Sequence, residues 1–464
     1  MSLLIKNGYV VTPEKTTIAD LYVENDTIAV IGESLTQRAD KSIDASGNYV
    51  IPGGIDVHTH LEAPVGGTVS SDDFETGTRA AAFGGTTCII DFATQSKGQS
   101  LHEAYELWRK KGAKAALDYG LHMIVVDIGE GRIEELDDLV EEGVTSFKLF
   151  TAYPGALMVD DATILQVMLR AGKKGALVAV HAENGSAIEY LVRKALLGGR
   201  TAPIEHALTR PAIAEAEAVH RVIALAQIAD VPLYIVHVSC EESLEEMRRA
   251  RQKGIAVFGE TCPQYLLLTQ EYLKRPNFEG AKFVLTPPLR GYADQEALWK
   301  GLQSDDLQVV STDHCPFLFE TQKRAGLNDF TKIPNGGPGI ENRLQLLYHY
   351  GVNQGRFSIN RWVELVAANP AKLFGLYPKK GVLRVGSDAD IVIWNPNRKH
   401  TISAASHHMR VDYSMYEGLE VKGNAETVIS RGETIVDQNT WSAKPGRGKY
   451  LKRSSFAGAW STWK

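Results

Sequence analysis

The chain has 464 residues, 44% of them apolar and 23% charged, which is globular composition and excludes a disordered chain. Fifty Lys and Arg against 56 Asp and Glu leave a formal net charge of −6, which argues against nucleic acid or an acidic membrane as partner. No apolar run approaches the ~20 residues of a membrane helix. The N-terminus is interrupted by Lys6, Asn7 and Gly8 and does not read as a signal peptide. Cys88, Cys240, Cys262 and Cys315 lie far apart without a CxxC pair, so reduced thiols in a cytoplasm are expected.

Residues 1–52 read as short strands, Leu3–Ile5, Tyr9–Val11, Ala19–Val23, Thr27–Ile31 and Tyr49–Ile51, with turns at Asn7-Gly8 and Asn25-Asp26. From there the pattern alternates. Apolar runs at Ile55–His60, Thr86–Phe92, Tyr119–Val126, Ser146–Phe150, Leu177–His181, Leu233–Val238, Ala256–Glu260 and Val309–Asp313 are mostly separated by helical segments. Those are Asp73–Phe83, Leu101–Ala113, Ile133–Glu142, Ala162–Lys174, Ala212–Ala229, Glu242–Lys253 and Gln295–Leu302. Eight runs alternating with helices predict a parallel sheet closed into a (β/α)8 barrel. An open doubly wound sheet would begin with a glycine-rich phosphate turn, and none follows Ile55–His60. β-rich segments return at Asp390–Trp394 and Glu426–Val436. The organisation expected is therefore a barrel over 53–374 and a small β domain built from 1–52 and 375–464, with a tail from about 440; two independent caps are the alternative.

Several predicted strands end in a metal-ligating residue type. His58 and His60 stand two apart and share a face. His181 and Asp313 close later runs, the sixth run carries His237, and Lys148 lies near the end of the fourth. In a barrel these ends meet on one face, which is where the active site lies. Four imidazoles, one carboxylate and one amine exceed the needs of one tetrahedral zinc, but suit two divalent ions about 3.5–4 Å apart if something bridges them. An ammonium there would be repelled, whereas a neutral lysine can take up carbon dioxide as an anionic carbamate with an oxygen for each metal. The other histidines, His314 among them, read as structural or surface residues.

The segments PGGIDVHTH, TSFKLFTAY, HAENG, HALTRP, YIVHVSC, GETCPQYL, LTPPLR, STDHCPF, FTKIPNGGPGIENR and LFGLYPKKG resemble the hydantoinase/dihydropyrimidinase family of cyclic amidohydrolases, from Leu4 to about Arg453. The resemblance implies a distorted (β/α)8 barrel with a β-sandwich made from both chain ends. It also implies hydrolysis of 5-substituted hydantoins or 5,6-dihydropyrimidines to N-carbamoyl amino acids by a binuclear zinc hydroxide. Two zinc ions, or other divalent metals, are implied per subunit. His58, His60 and Asp313 would hold the first, His181 and His237 the second, and a carboxylated Lys148 both. By the same resemblance Asp313 is the acid/base, Tyr153 steadies the oxyanion, and Thr286 and Asn335 offer main-chain contacts to the substrate amide. Thr286 stands where the family often has Ser, a change that a backbone contact survives. Leu61, Ala63, Val65, Phe150 and Leu157 would line the pocket for the exocyclic substituent. Dihydroorotases carry Arg two residues after their HxH; here that position is Glu62, which disfavours a carboxylated ring. Allantoinase is the nearest enzymatic alternative. A non-catalytic scaffold is disfavoured because every ligand position is filled. The family's homotetramers further imply that the basic, aromatic tail (Trp441, Lys444, Arg447, Lys449, Lys452, Arg453, Trp460, Trp463, Lys464) serves at subunit contacts.

Overall fold

The computed structural model describes residues 2–129 and 131–456. Both ends of the chain build one mixed sheet. Its strands are Ser2–Val11, Thr16–Glu24, Thr27–Gly32, Lys41–Asp44, Tyr49–Pro52, Ile391–Thr401, Glu420–Ser430, Glu433–Asp437 and Thr440–Trp441. The halves join where Tyr49–Pro52 pairs antiparallel with Ile391–Trp394. In its pairing this is a single continuous sheet, with its own core of Leu3, Ile5, Leu21, Val23, Ile391 and Ile393. The break expected at Asn7-Gly8 is instead a bulge inside one strand. Asn7 sits at φ 63 and donates its N–H to Asp20 Oδ1 at 2.8 Å, and a Cβ on Gly8 would stand 2.4 Å from Val50. Close approach of neighbouring strands, rather than a turn, therefore accounts for the glycine.

The barrel strands are β1 (Gly54–Thr59), β2 (Thr86–Thr94), β3 (Asp118–Ile124), β4 (Ser146–Phe150), β5 (Leu177–His181), β6 (Leu233–Ile235), β7 (Val257–Thr261) and β8 (Val309–Val310). They pair in chain order, all parallel, as a nearly closed barrel. The seam between β8 and β1 is closed by a parallel bridge from Thr59 to His314 and by the His60 N–H donating to the His314 carbonyl at 2.9 Å. Ile55, Val57, Cys88, Ile90, Leu177, Ala179, Tyr234 and Phe258 fill the interior with Phe374, Leu451 and Phe456, so the barrel is a packed core. The four cysteines are free and buried.

The predicted helices form with small shifts of their ends, and each buries an apolar stripe on the barrel. The first, Phe74–Phe83, starts at a capping box: Asp73 accepts from the Thr76 N–H at 2.8 Å while the Thr76 hydroxyl accepts from the Asp73 N–H at 3.0 Å. The longest helix not anticipated is Gly185–Leu197, which begins inside the HAENG motif with Asn184 as its cap; short helices at Glu205–Leu208, Pro263–Leu267, Arg343–Leu347, Ile359–Val363 and Asn369–Leu373 were not anticipated either. Among the described residues no helix is long and apolar enough to cross a membrane. Residues 449–456 lie against this chain's own barrel. Leu451 N–H bonds the Tyr119 carbonyl at 2.8 Å, and Arg453 donates to Ser146 Oγ at 2.9 Å. Trp460, Trp463 and Lys464 fall outside the described residues.

Candidate active site

The C-terminal ends of the barrel strands bring the sequence-derived residues to one place. His58, wholly buried on β1, gives its Nδ1 to the Glu260 carboxylate at the end of β7. That partner fixes the tautomer, so the lone pair of His58 sits on Nε2 and faces inward. There Nε2 stands 3.2 Å from His60 Nε2 and 3.2 Å from Asp313 Oδ1, and His60 Nε2 is also 3.2 Å from Asp313 Oδ1. Three lone-pair atoms thus form an equilateral triangle. The edge of a tetrahedron with bonds of 2.0–2.1 Å is about 3.3 Å, so the triangle fits a divalent cation such as zinc. It is also the cluster of metal-ligating side chains found among the described residues.

A second pair stands beside it. His181, the last residue of β5, has its Nε2 2.8 Å from Glu183, which leaves Nδ1 as the lone-pair atom, 2.9 Å from His237 Nε2. The buried Nδ1 of His237 has no partner. The His58 and His237 rings are 5.4 Å apart at their centroids. Lys148, on β4, is buried with Nζ 3.0 Å from His58 Nε2 and 4.2 Å from the centre of the Phe92 ring. Burial lowers its pKa to about 8 although Asp313 and Glu260 oppose the shift, which makes a neutral amine accessible near neutral pH. Burial also lowers His60 to about 4 and holds His237 well below the usual histidine range, so both imidazoles stay neutral. For Asp313 burial works the other way, but the His58 and His60 rings outweigh it and keep the carboxylate ionised. His58 is shifted upward: burial and Lys148 lower it, but the Glu260 and Asp313 carboxylates outweigh them, so it gives up a proton when a cation binds. Neutral imidazoles and an ionised carboxylate are the ligand-competent states.

These groups open into a cavity of about 410 Å³. Tyr153, Thr286 and Asn335 line it, as do Ala63, Val65, Phe150 and Leu157. Burial, with the Glu183 carboxylate next, pushes the Tyr153 phenol up to about 12, so it remains a donor. Leu61 does not belong to this wall. It is fully buried in the main core against the helix Phe74–Phe83, where a Cβ on Gly77 would come within 2.4 Å of it. It precedes the outward turn of the chain, whereas Ala63 and Val65 follow it. Sequence reasoning missed Pro64, Ile124, Cys315 and Ile333 on the wall, and the two carboxylates Glu260 and Glu183 behind the histidines. Glu260 did carry a signal: the seventh predicted run ends on it, as other runs end on His or Asp. His314 is turned away from the cavity, its Nε2 3.0 Å from Asp72.

The family model of the amidohydrolase family matches residues 49–435. The chain belongs to the amidohydrolase family. Among characterised members of this amidohydrolase family it is 52% identical to the D-hydantoinase of Streptomyces coelicolor over 97% of its own length and 98% of that protein's. It is 51% identical to the D-hydantoinase of Geobacillus stearothermophilus, over 98% and 97%. Its structure matches the crystal structure of a dihydropyrimidinase from Brevibacillus agri at a TM-score of 0.97, with 50% identity and coverage of 98% and 99%. Each match covers 97–98% of this chain and 97–99% of the relative.

Proposed function

We propose that the chain hydrolyses the cyclic amide bond of 5-substituted hydantoins and 5,6-dihydropyrimidines to N-carbamoyl amino acids, acting on hydantoins of the D series. The observation that carries this reading is the His58–His60–Asp313 triangle opening on a cavity with one apolar wall. D-hydantoinases about half identical over their full length support it. His58, His60 and Asp313 would hold one zinc ion, His181 and His237 a second, and Lys148 both, once its neutral Nζ has added to carbon dioxide and released a proton. Bound divalent metal supplies Lewis-acid polarisation of the ring carbonyl and a lowered pKa for water.

The remaining work falls to this chain's own groups. Thr286 and Asn335 hold the ring amide through their main-chain atoms. The Tyr153 hydroxyl donates to the oxygen that gains charge. Asp313 accepts the proton of the attacking water and delivers it to the departing ring nitrogen. Ala63, Val65, Phe150 and Leu157 pack on the 5-substituent and exclude water. Glu62 is engaged by Lys114 at 3.0 Å, so nothing at that position seeks a carboxylated ring. The test is a panel of hydantoins, dihydrouracil, dihydrothymine and allantoin assayed at defined metal content. Turnover of hydantoins and dihydrouracil well above allantoin supports the reading. Turnover of allantoin alone, or of nothing at full metal loading, overturns it.

A further inference from the structure

Lys323 opens a short 3-10 turn, Lys323–Gly326, and its side chain is wholly buried. Its partners are carbonyls rather than a carboxylate: Nζ donates to Val284 at 3.0 Å and to Pro334 at 3.1 Å. Such burial is costly for an ammonium, and it drives the pKa down to about 7 while the nearby Cys315 thiol opposes the shift. A methionine would fill the same volume without that cost, so the amine is doing something that apolar packing does not require. Charged or neutral, it keeps the two N–H donors that the two carbonyls use.

Those carbonyls belong to the two segments that carry Thr286 and Asn335 into the cavity. The Val284 carbonyl also accepts from the Gly336 N–H at 3.1 Å, so the segments are laced twice. On the far side Gly336, at φ 143, leaves no room to shift, since a Cβ there would stand 2.3 Å from the Cys315 carbonyl. We propose that Lys323 is a positioning residue for substrate binding: by holding the Val284 and Pro334 carbonyls together it sets the spacing of the Thr286 and Asn335 main-chain groups that grip the ring amide. This deepens the hydantoinase reading and rests on it. Because the ring amide is common to all substrates, the effect of Lys323 falls equally on each of them and not on the choice of 5-substituent.

The experiment is steady-state kinetics of metal-loaded Lys323→Met on hydantoin, a 5-aryl hydantoin and dihydrouracil. Losing a tether of two hydrogen bonds should raise KM by about tenfold for all three, with kcat within threefold and metal content unchanged. A merely structural prop would show the opposite split: a lower yield of active, metal-loaded enzyme at unchanged KM, and that result overturns the proposal. So does a wild-type KM, or a rise confined to one 5-substituent. If Lys323→Met does not accumulate folded, Lys323→Leu, equally without donors and one atom shorter, gives the same reading. A KM raised threefold or more at unchanged kcat supports the role, and a wild-type KM ends it. Absence of turnover by the wild-type enzyme would instead be a failure of the hydantoinase reading itself.

Discussion

Three residues that meet in the cavity hold left-handed backbone conformations: Tyr153 at φ 64, His237 at φ 38 and Asp313 at φ 53. None is glycine, so each costs on the order of 1–3 kcal/mol that the surroundings must offset. At Asp313 those surroundings are visible. The next residue, His314, is wholly buried; its Nε2 donates to Asp72 at 3.0 Å and its Nδ1 accepts the Gly339 N–H at 3.1 Å. Its carbonyl meanwhile takes the His60 N–H, so one residue fixes the backbone of two triangle members. Asp313→Ala should fold, yet lose about 10²–10⁴-fold in kcat from proton transfer alone. A near-normal rate at full metal loading would remove Asp313 from that role. Lys148→Ala should lose bound metal, measured by elemental analysis, and regain part of its activity with added short carboxylic acids; full metal content in this variant would argue against a bridging carbamate. At this scale the ligand types were legible because strand ends in a barrel converge. Glu183 was not, and Glu260 only as the residue that closes the seventh run, because both act on ring orientation, and orientation follows from packing rather than spacing. Leu61 misled for a related reason: two residues past the HxH strand look alike in sequence whether the chain has turned outward yet or not.

The eighth strand was read as Val309–Asp313, but only Val309–Val310 joins the ladder. Beyond it Thr312 turns its hydroxyl to Asp56 at 2.6 Å, and the positive φ at Asp313 ends the extended run. A two-residue strand is a weak closure, and Arg343 compensates. Wholly buried, it donates through Nη1 to the carbonyls of Ile55 and Val310, each at 2.9 Å, so that one guanidinium spans β1 and β8. Its Nη2 donates to Thr86 Oγ1 at 3.0 Å on β2. Arg343→Met should therefore lower thermal stability strongly, since carbonyls left unpaired in a buried seam cost about 1–3 kcal/mol each. Calorimetry of the metal-loaded variant gives the answer, and an unchanged Tm would mean that the seam closes without this residue. The arginine lies in a motif that the resemblance highlighted, yet nothing in its spacing announced a strand clamp. The partner carbonyls are 288 and 33 positions away in sequence.

For the molecule as a whole, eight apolar runs and two β-rich ends were enough to anticipate both sheets, because only the middle of the chain alternates its strands with helical segments. How the sheets are fastened together was not readable. Lys380, 1% exposed, reaches Asp390 at 2.7 Å, Asp388 at 3.0 Å and, on β3 of the barrel, Asp118 at 3.0 Å. Burial opposes both charges, but the pairing keeps Lys380 well above and Asp118 below their ordinary values. A depressed carboxylate contributes stability above its unfolded pKa, about 4, and loses it as pH falls further; a raised lysine contributes below about 10.5 and loses it only in stronger alkali. The clamp should thus be constant from pH 5 to 9 by these limits. Lys380→Met, which strands buried carboxylates, should cost about 3–5 kcal/mol at pH 7 and less as they protonate toward pH 4. An equal loss of Tm at both pH values would contradict the clamp. The C-terminal segment is the other fastening, and it bears on assembly. Leu451 and Phe456 bury at the barrel floor, each worth about 1.5–3 kcal/mol, while Arg447 bonds the Ala116 and Ser430 carbonyls at 3.2 and 2.9 Å. A chain cut after Gly446 should therefore lose thermal stability and expose its barrel floor. Light scattering beside calorimetry separates this from loss of a subunit contact: smaller particles with an unchanged Tm would mean that these residues hold subunits together instead of closing their own barrel.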